Sequence, residues 1–538
     1  MPLTGGLSGR LHTHSRYPDT REVVMAVAAV DDRELIKAMS WFDGFVVALA
    51  NPSFLLTALG GSVLSLGGWG ATMVWTFSVL IGALHNNIYA EVAAMFPKLS
   101  GGVAVYAHEA WKRYTSFVGP IAAVGYWLGW SVVLSLNGAI VGFLLQARFF
   151  PNSTFGSTTS DWGIVNFYSS PAILIGAVAI LIIWAANVWG VRPAVWTGYV
   201  TGGLLLFPLF VLIVVPYITG DWASSNLHNL IDFSNFGTYE TKGTGDSIVY
   251  NDGWRLVITW LYLMCWSSYG FECCASFAPE YHDPERDTAK ALRAAAVFGV
   301  FVYALLPIGA LGAFGDKNIT INNTLTFYGD TFQKLLGSTA ADILVIMLCA
   351  GIVLSMNTAT MDGSRALYGI SQDGMTIKWL GKLNGNNVPG NAMTLDAVLN
   401  LVLLFIAIGA LAGGGYLKIL AVSNFGYVIA HIFAISGFLL LRKDRPGWPR
   451  PIRLGPIWTP LAVLCLVLDI VYVAVGSWSF SLTGYAGGSE VFLWGLIVLV
   501  IAVALYVYRV VVEDKAPLRW QLDAPTMPAE VPTRPAAT

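Results

Sequence analysis

Charge is scarce in this chain. Only 12% of its 538 residues are Asp, Glu, Lys or Arg, where a soluble domain carries ~25%. The balance is nearly even, 30 bases against 32 acids, so no strongly basic surface points to a nucleic-acid partner. Cysteine is sparse too. Cys265, Cys273, Cys274, Cys349 and Cys465 all fall inside apolar runs, and none has metal-ligand or redox spacing, so they read as reduced packing residues. No short apolar core with a small-residue cleavage site stands near the start, which argues against a cleaved signal peptide. There is no H-E-x-x-H and no plausible Ser/His/Asp set, so neither an intramembrane enzyme nor a bound metal or cofactor is expected.

Apolar residues are abundant instead, at 56% of the chain, with 20 Trp, 22 Tyr and 28 Phe and a mean hydropathy of +0.63. Twelve apolar runs can be placed near 41–66, 71–95, 117–148, 171–190, 194–218, 255–276, 293–315, 337–361, 393–412, 416–441, 457–477 and 490–510. Each is long enough for the ~20 helical residues that a bilayer core requires. With the N-terminus inside, the five inner connections hold fifteen Lys and Arg and the outer connections six, which fits the positive-inside rule. The sequons at Asn152, Asn318 and Asn322 then fall on outer loops. The expected organisation is a cytoplasmic tail over 1–38, a core over 39–456, two further helices over 457–512 and a disordered cytoplasmic tail over 513–538. The segment Phe96–Tyr114 reads as an amphipathic membrane-surface helix, and residues 219–254 as a long acidic outer loop.

Two of these runs are interrupted. Asn51-Pro52 sits mid-run in the first, and proline removes a backbone donor and clashes one turn back. In the sixth, Ser267-Ser268-Tyr269-Gly270 breaks the aliphatics and is followed by Glu272. An acid at the bilayer centre costs at least ~2.5 kcal/mol and is a functional hypothesis by default. Runs 1 and 6 hold corresponding places if the chain repeats as five plus five, with the second unit inverted. Interrupted helices at matching positions are where secondary transporters place a site. The half-helix starting near Ser53 would aim its positive end at an anionic group such as a carboxylate. Glu272 reads equally as a binding or coupling group and as a cap on unwound backbone. Asp43 is expected at the inner mouth, partnering Arg365 or another gate cation; Glu91 is expected to pair with a base. His85 and His431 are expected in helix–helix hydrogen bonds, and Asp469 in contacts between copies. Ser355 and Thr358 are either sodium-coordinating oxygens or packing residues.

Four stretches, Tyr89–Tyr106, Gly270-Phe271-Glu272 with Glu280 and Pro284, Asp362–Gly374 and Asn187–Arg192, make residues 40–450 resemble the amino acid–polyamine–organocation superfamily. That resemblance implies an all-α membrane protein of twelve helices, with the leucine-transporter-like 5+5 inverted repeat and broken helices 1 and 6. It implies a plasma-membrane secondary transporter with both termini cytoplasmic, monomeric or homodimeric, carrying an amino acid or a relative such as GABA by alternating access. The ligand's carboxylate would meet backbone amides around Pro52–Phe54 and the Ser53 hydroxyl. Its ammonium would meet carbonyls near Ala50 and around Trp266–Ser268. Tyr269 and Phe271 would form a lid or a side-chain wall, and Asn137, Asn357, Thr358 and Asn424 would face the cavity. Asn51-Pro52 stands where the family carries a glycine-rich run, and the fifth run holds no lysine. Coupling would therefore use a proton at another acid, sodium, or exchange. The alternatives are a polyamine- or choline-type cation transporter and a non-transporting nutrient sensor on the same fold.

Overall fold

The computed structural model describes residues 35–162, 166–231, 233, 241–242, 249–250, 253–408, 416–483 and 489–523. Helix dominates, as expected where no water is present to satisfy an open backbone. The chain opens with α1 (Trp41–Ala48), α2 (Pro52–Met95) and the short α3 (Gly102–Trp111), followed by α4 (Val118–Ser131) and α5 (Val133–Phe149). A two-stranded antiparallel hairpin, Thr158–Asp161 with Asn166–Ser169, leads into α6 (Pro171–Val188) and α7 (Val191–Thr219). Then come α8 (Gly253–Tyr269), a 3-10 stretch over Gly270–Glu280, α9 (Pro284–Phe314), α10 (Phe327–Leu336) and α11 (Ser338–Gln372). The chain ends with α12 (Gly390–Leu403), α13 (Tyr416–Asp444), α14 (Trp458–Val471) and α15 (Ser489–Tyr508).

Among the described residues nine helical stretches are long and apolar enough to cross a membrane. The first of them, Trp41–Met95, contains runs 1 and 2. Its continuity is formal, because Gly67 sits at φ +73° inside α2 and turns the chain there. Only glycine tolerates that backbone, and the approach is close: a Cβ at Gly67 would lie 2.4 Å from the carbonyl of His228. Runs 6 and 9 appear as the 17-residue α8 and the 14-residue α12, each shorter than a full span.

The interior is formed by α2, α4, α8, the 3-10 stretch, α11 and the inner face of α9. Trp75, Trp260, Tyr126, Tyr262, Tyr303 and even Arg365 are fully buried there. Large apolar side chains face outward on α6, α7, α9 and α15, including Ile182, Trp196, Phe207, Phe301 and Trp494. Exposed apolar surface of that extent marks a membrane or protein contact, and on helices long and apolar enough to span a bilayer it fits lipid.

Two expectations meet a different outcome. Residues Gly102–Ala110 of α3 are all buried, so this is not a membrane-surface helix. It is tied to the 3-10 stretch by Gly101 N–H donating to the Ser276 carbonyl at 3.3 Å, and to α13 by Trp111 Nε1–H donating to the Phe433 carbonyl at 3.0 Å. Aromatics alternating with bases described one face and did not say what covers the other. Secondly, part of the stretch expected to be disordered is seated on the fold. Ser116 N–H donates to the Trp520 carbonyl at 2.8 Å and Leu522 N–H to the Lys112 carbonyl at 2.8 Å, while Trp520 lies 5.0 Å from the Phe117 ring. Most of the tail over 1–38, much of the acidic loop and residues 524–538 lie outside the described residues.

Candidate functional site

The interruption at Asn51-Pro52 is a tightening. Ala50, Asn51, Ser53 and Phe54 donate their amides three residues back, to Val47, Ala48, Ala50 and Asn51. The Ser53 hydroxyl also turns back to the Ala50 carbonyl, and Asn51 Nδ2 to that of Ala48 at 3.0 Å. The amides and carbonyls expected to meet a ligand here are therefore engaged within the turn. Proline explains it: having no N–H, Pro52 starts α2 at a position where no donor is needed, and the residues before it close a 3-10 turn.

The second interruption behaves alike. α8 ends at Tyr269 and the backbone continues as 3-10 helix for 11 residues, Gly270–Glu280. Such runs seldom exceed three or four residues, and longer ones often mark a hinge or strain. The two junctions touch. A Cβ on Gly270 would lie 2.2 Å from Asn51 Oδ1, so only glycine fits. Tyr303 of α9 ties them together, donating its hydroxyl to the Asn51 carbonyl at 2.8 Å while bonded to the Ser267 hydroxyl. Phe54 lies 4.4 Å from the Trp266 ring and 5.9 Å from Trp130. Trp266 Nε1–H donates to the Gly129 carbonyl at 2.7 Å, and Ser268 meets Ser78 at 2.6 Å. Two polar atoms at this locus have no hydrogen-bond partner although buried, Asn51 Oδ1 and Trp130 Nε1.

Tyr269 and Phe271 turn away from the junction. Tyr269 stacks on His85 at 4.3 Å and donates to Asp469 Oδ1 at 2.9 Å. Phe271 packs against Gly299 and Tyr303 of α9.

Glu272 is fully buried, and its hydrogen-bond donors are phenols rather than backbone amides. Tyr427 donates to Oε1 at 2.6 Å and Tyr126 to Oε2 at 2.9 Å. Tyr126 also stands 2.8 Å from Asp362 Oδ2, and Ser276 donates to Oδ1 of the same acid. One hydroxyl supplies one proton, yet it bridges two carboxyl oxygens. Satisfying both contacts takes a second proton, carried by Glu272 or Asp362 and donated to the tyrosine oxygen. With both contacts made as hydrogen bonds, the pair holds one proton. His431 borders it, with Nε2 3.7 Å from Glu272 Oε1 and Nδ1 2.7 Å from the Tyr89 hydroxyl.

The remaining candidates are spread out. Asn137 donates to Ser355, and Asn357 joins Asn187 at 2.8 Å and the Ala194 carbonyl at 2.9 Å. Thr358 donates to the Val47 carbonyl at 2.8 Å, and Asn424 to that of Tyr262. Asp43 does not meet Arg365. It accepts from Ser40, 2.7 Å away, and from Tyr199 at 2.8 Å, capping α1, while Arg365 grips both oxygens of Glu280. Glu91 does pair with bases, Arg442 at 2.7 Å and Arg450 at 3.3 Å. Asp469 is fully buried against His85 and so is no contact between copies. At one helix end His108, Glu109 and Asp373 bring ligand-type atoms within 4.8 Å of one another. Glu109 pairs with Lys112 and lies 3.7 Å from Arg445. Burial and the neighbouring Glu109 charge push the Asp373 carboxyl up to about 7.

Tyr126, Trp130, Tyr303 and Tyr427 are absent from the expected site, and Asp362 enters the expectations only as the first residue of the Asp362–Gly374 stretch. Only Asp362 carried a signal, as an acid inside a long apolar helix.

A family model described as amino acid permease matches residues 38–503. The chain belongs to the amino acid permease family. This places it in the amino acid–polyamine–organocation superfamily, among multi-pass membrane permeases. Over 400 residues it is 22% identical to the branched-chain amino acid permease BcaP of Lactococcus lactis, covering 73% of this chain and 74% of that protein. The histidine permease HisP of the same organism is 22% identical over 451 residues, 80% and 87% of the two chains. The polyamine transporter PUT1 of rice is 25% identical over 394 residues, 72% of this permease and 64% of that protein.

Proposed function

We propose that this permease carries an amino acid across the plasma membrane by alternating access between two tightened junctions, Ala48–Phe54 and Trp266–Glu272. The observation that carries the reading is the pair of unpartnered buried atoms at the junction, an acceptor on Asn51 and a donor on Trp130. A buried polar group without a partner costs about 1–3 kcal/mol, and a zwitterion brings the complement of both: an ammonium for Asn51 Oδ1 and a carboxylate for the Trp130 indole. Ser53, Ser267 and Ser268 supply further hydroxyls once the turn opens. Twelve crossings follow if the Gly67 bend separates two spans and α8 and α12 cross with their flanking turns. On that count the five-plus-five inverted repeat relates α1 to α8, and both termini are cytoplasmic.

Coupling is assigned to a proton. No lysine stands in α7, while Glu272 and Asp362 share a proton across Tyr126. Opening either junction would separate the two acids and change their hold on it. Arg365, locked to Glu280 at the end of the 3-10 stretch, is the gate residue in this reading. A polyamine is the second reading, favoured by Glu272 lying between the Tyr126 and Tyr427 hydroxyls and by the similarity to PUT1.

Uptake of labelled leucine, phenylalanine, histidine and spermidine into proteoliposomes, with and without a pH gradient, separates these. Accumulation of an amino acid driven by inward acid supports the proposal. Accumulation of spermidine alone transfers the site to the cation reading, and ligand binding without flux of any solute would leave a sensor.

A further inference from the structure

Beside α1, and apart from the junctions, runs a cavity of about 710 Å³ between that helix and the first turns of α9. Its floor is aromatic: Trp41 and Phe45 from α1, and Phe298 from α9, whose ring lies 5.8 Å from that of Phe45. Its rim is basic. Arg286, Lys290 and Arg293 line the cavity, and Val297 follows them. These positions advance by three or four residues at each step, so they share one face of α9. Farther along the same face come Val297 and Phe301, 59% and 62% exposed, in the lipid-facing belt. The stripe is thus cationic for about 10 Å, at 1.5 Å per residue, and apolar beyond.

The cations are only partly spoken for. Arg286 lies 3.8 Å from Asp283. Lys290 rests its ammonium 4.0 Å above the Trp41 ring, and neither it nor Arg293 has a carboxylate partner among the described residues. Glu285 and Asp287 sit in the first turn of α9, at its tip; Lys290 and Arg293 lie one and two turns deeper, where the groove walls become apolar.

We propose that this groove binds an anionic phospholipid, its phosphate held by Lys290 and Arg293 and an acyl chain laid along Val297 and Phe301. The chemistry is specific to that class. A free anion would satisfy the bases and leave the aromatic floor and apolar wall uncovered, and a zwitterionic lipid would bring its own cation to the same rim. Basic pockets between transmembrane helices that open to an interface are the usual recognition element for acidic headgroups. Because Trp41 and Phe45 belong to the half-helix before the Asn51-Pro52 turn, a lipid seated here would brace the element that alternating access must swing. The site stands whichever solute is carried.

The test uses purified permease in detergent, titrated with phosphatidylglycerol, phosphatidylcholine of the same chains, or inorganic phosphate, and read by thermal melting. Phosphatidylglycerol is expected to raise the melting temperature more than phosphatidylcholine does. In K290Q/R293Q its apparent affinity should fall about 25-fold, roughly fivefold per charge removed, with the phosphatidylcholine response unchanged. An equal response of variant and parent overturns the proposal, as does a shift reproduced by phosphate alone. A photoreactive phosphatidylglycerol on the unmodified protein gives a reading independent of variant folding. Adducts should concentrate on residues 41–45 and 286–301; labelling spread evenly over the outward apolar helices would refute the site.

Discussion

His85 of α2 holds Asp469 of α14 through Nε2, 2.9 Å from Oδ2, with both side chains fully buried. The ring's other nitrogen, Nδ1, is 2.9 Å from the Ile81 carbonyl. A carbonyl only accepts, so Nδ1 carries a proton and donates. Nε2 can then face a carboxyl oxygen only if a further proton lies between them. α14, which follows the proposed ten-helix core, is by this pair fastened to α2 and, through Tyr269, to the end of α8.

Removing that fastening tests its weight. Asp469→Ala leaves the Tyr269 hydroxyl and His85 without their partner in a buried site. Stripping one member of a buried pair costs about 3–5 kcal/mol, so a markedly lower melting temperature is expected. Asp469→Asn keeps the shape and an acceptor and should fall between. Oligomeric state, read by light scattering, should not change in either. Equal melting of Asp469→Ala and the parent would deny the pair a structural role.

The shared proton at Tyr126 makes a separate forecast. Glu272→Gln and Asp362→Asn keep the volume and fix one acid permanently neutral, so the remaining carboxyl loses its partner in the exchange. Substrate binding and exchange should persist in both variants, while acceleration by an inward acid gradient disappears. Tyr126→Phe removes the bridge and should weaken the gradient response through the same pair. Paired flux measurements with and without the gradient decide it; a full gradient response in Glu272→Gln would show that the coupling proton sits elsewhere.

Acid should loosen the clamp on the Gly67 bend. Asp316 accepts from the amides of Gly68 at 2.9 Å and His228 at 2.6 Å, and meets His228 Nδ1 at 2.8 Å. Burial alone would raise its pKa, but the His228 amide and ring and the Gly68 amide outweigh that and hold the carboxyl below its ordinary range. A carboxyl depressed in the folded state stabilises above its unfolded pKa, about 3.9, and loses that contribution as pH falls through the folded value. The melting temperature should therefore drop below about pH 4 more steeply in the parent than in Asp316→Asn. At neutral pH the variant should be less stable by about 2 kcal/mol, the worth of a hydrogen bond to a charged group. Parallel pH–melting curves for the two would remove Asp316 from the clamp.

What could be read in advance follows from contrast. Asn51-Pro52 and Ser267–Glu272 stand out because proline, serine and an acid are costly within apolar runs, and those stretches do form the two junctions. The partners of Glu272 did not stand out, since Tyr126 and Tyr427 are two of 22 tyrosines and helix phase alone does not say which face inward. Arg365 and Glu280 lie 85 residues apart, and the expected side of the membrane, which pairs Asp43 with Arg365, says nothing of reach. The direction of the backbone change was also hidden. Gly270 and Pro52 permit unwinding and tightening alike, and nothing in the residue pattern says that the amides of Ala50, Asn51, Ser53 and Phe54 close onto carbonyls three residues back.

Gly270 offers the sharpest mutational test of the junction. A methyl group there would lie 2.2 Å from Asn51 Oδ1 and 3.3 Å from the Trp130 ring. Asn51 is fully buried and its amide nitrogen is bonded to Ala48, so the side chain has little room to yield. Overpacking of this kind costs about 1–3 kcal/mol, and Gly270→Ala should lower both melting temperature and uptake. Asn51→Ala removes the obstructing oxygen, so the double variant should recover most of the stability lost by Gly270→Ala. It should not recover uptake, because the acceptor assigned to the ligand's ammonium is gone. That split, stability rescued and transport not, is what a shared structural and binding role of Asn51 requires. If the double variant regained both, Asn51 would be packing alone, and if Gly270→Ala were silent, the two junctions would not meet as described.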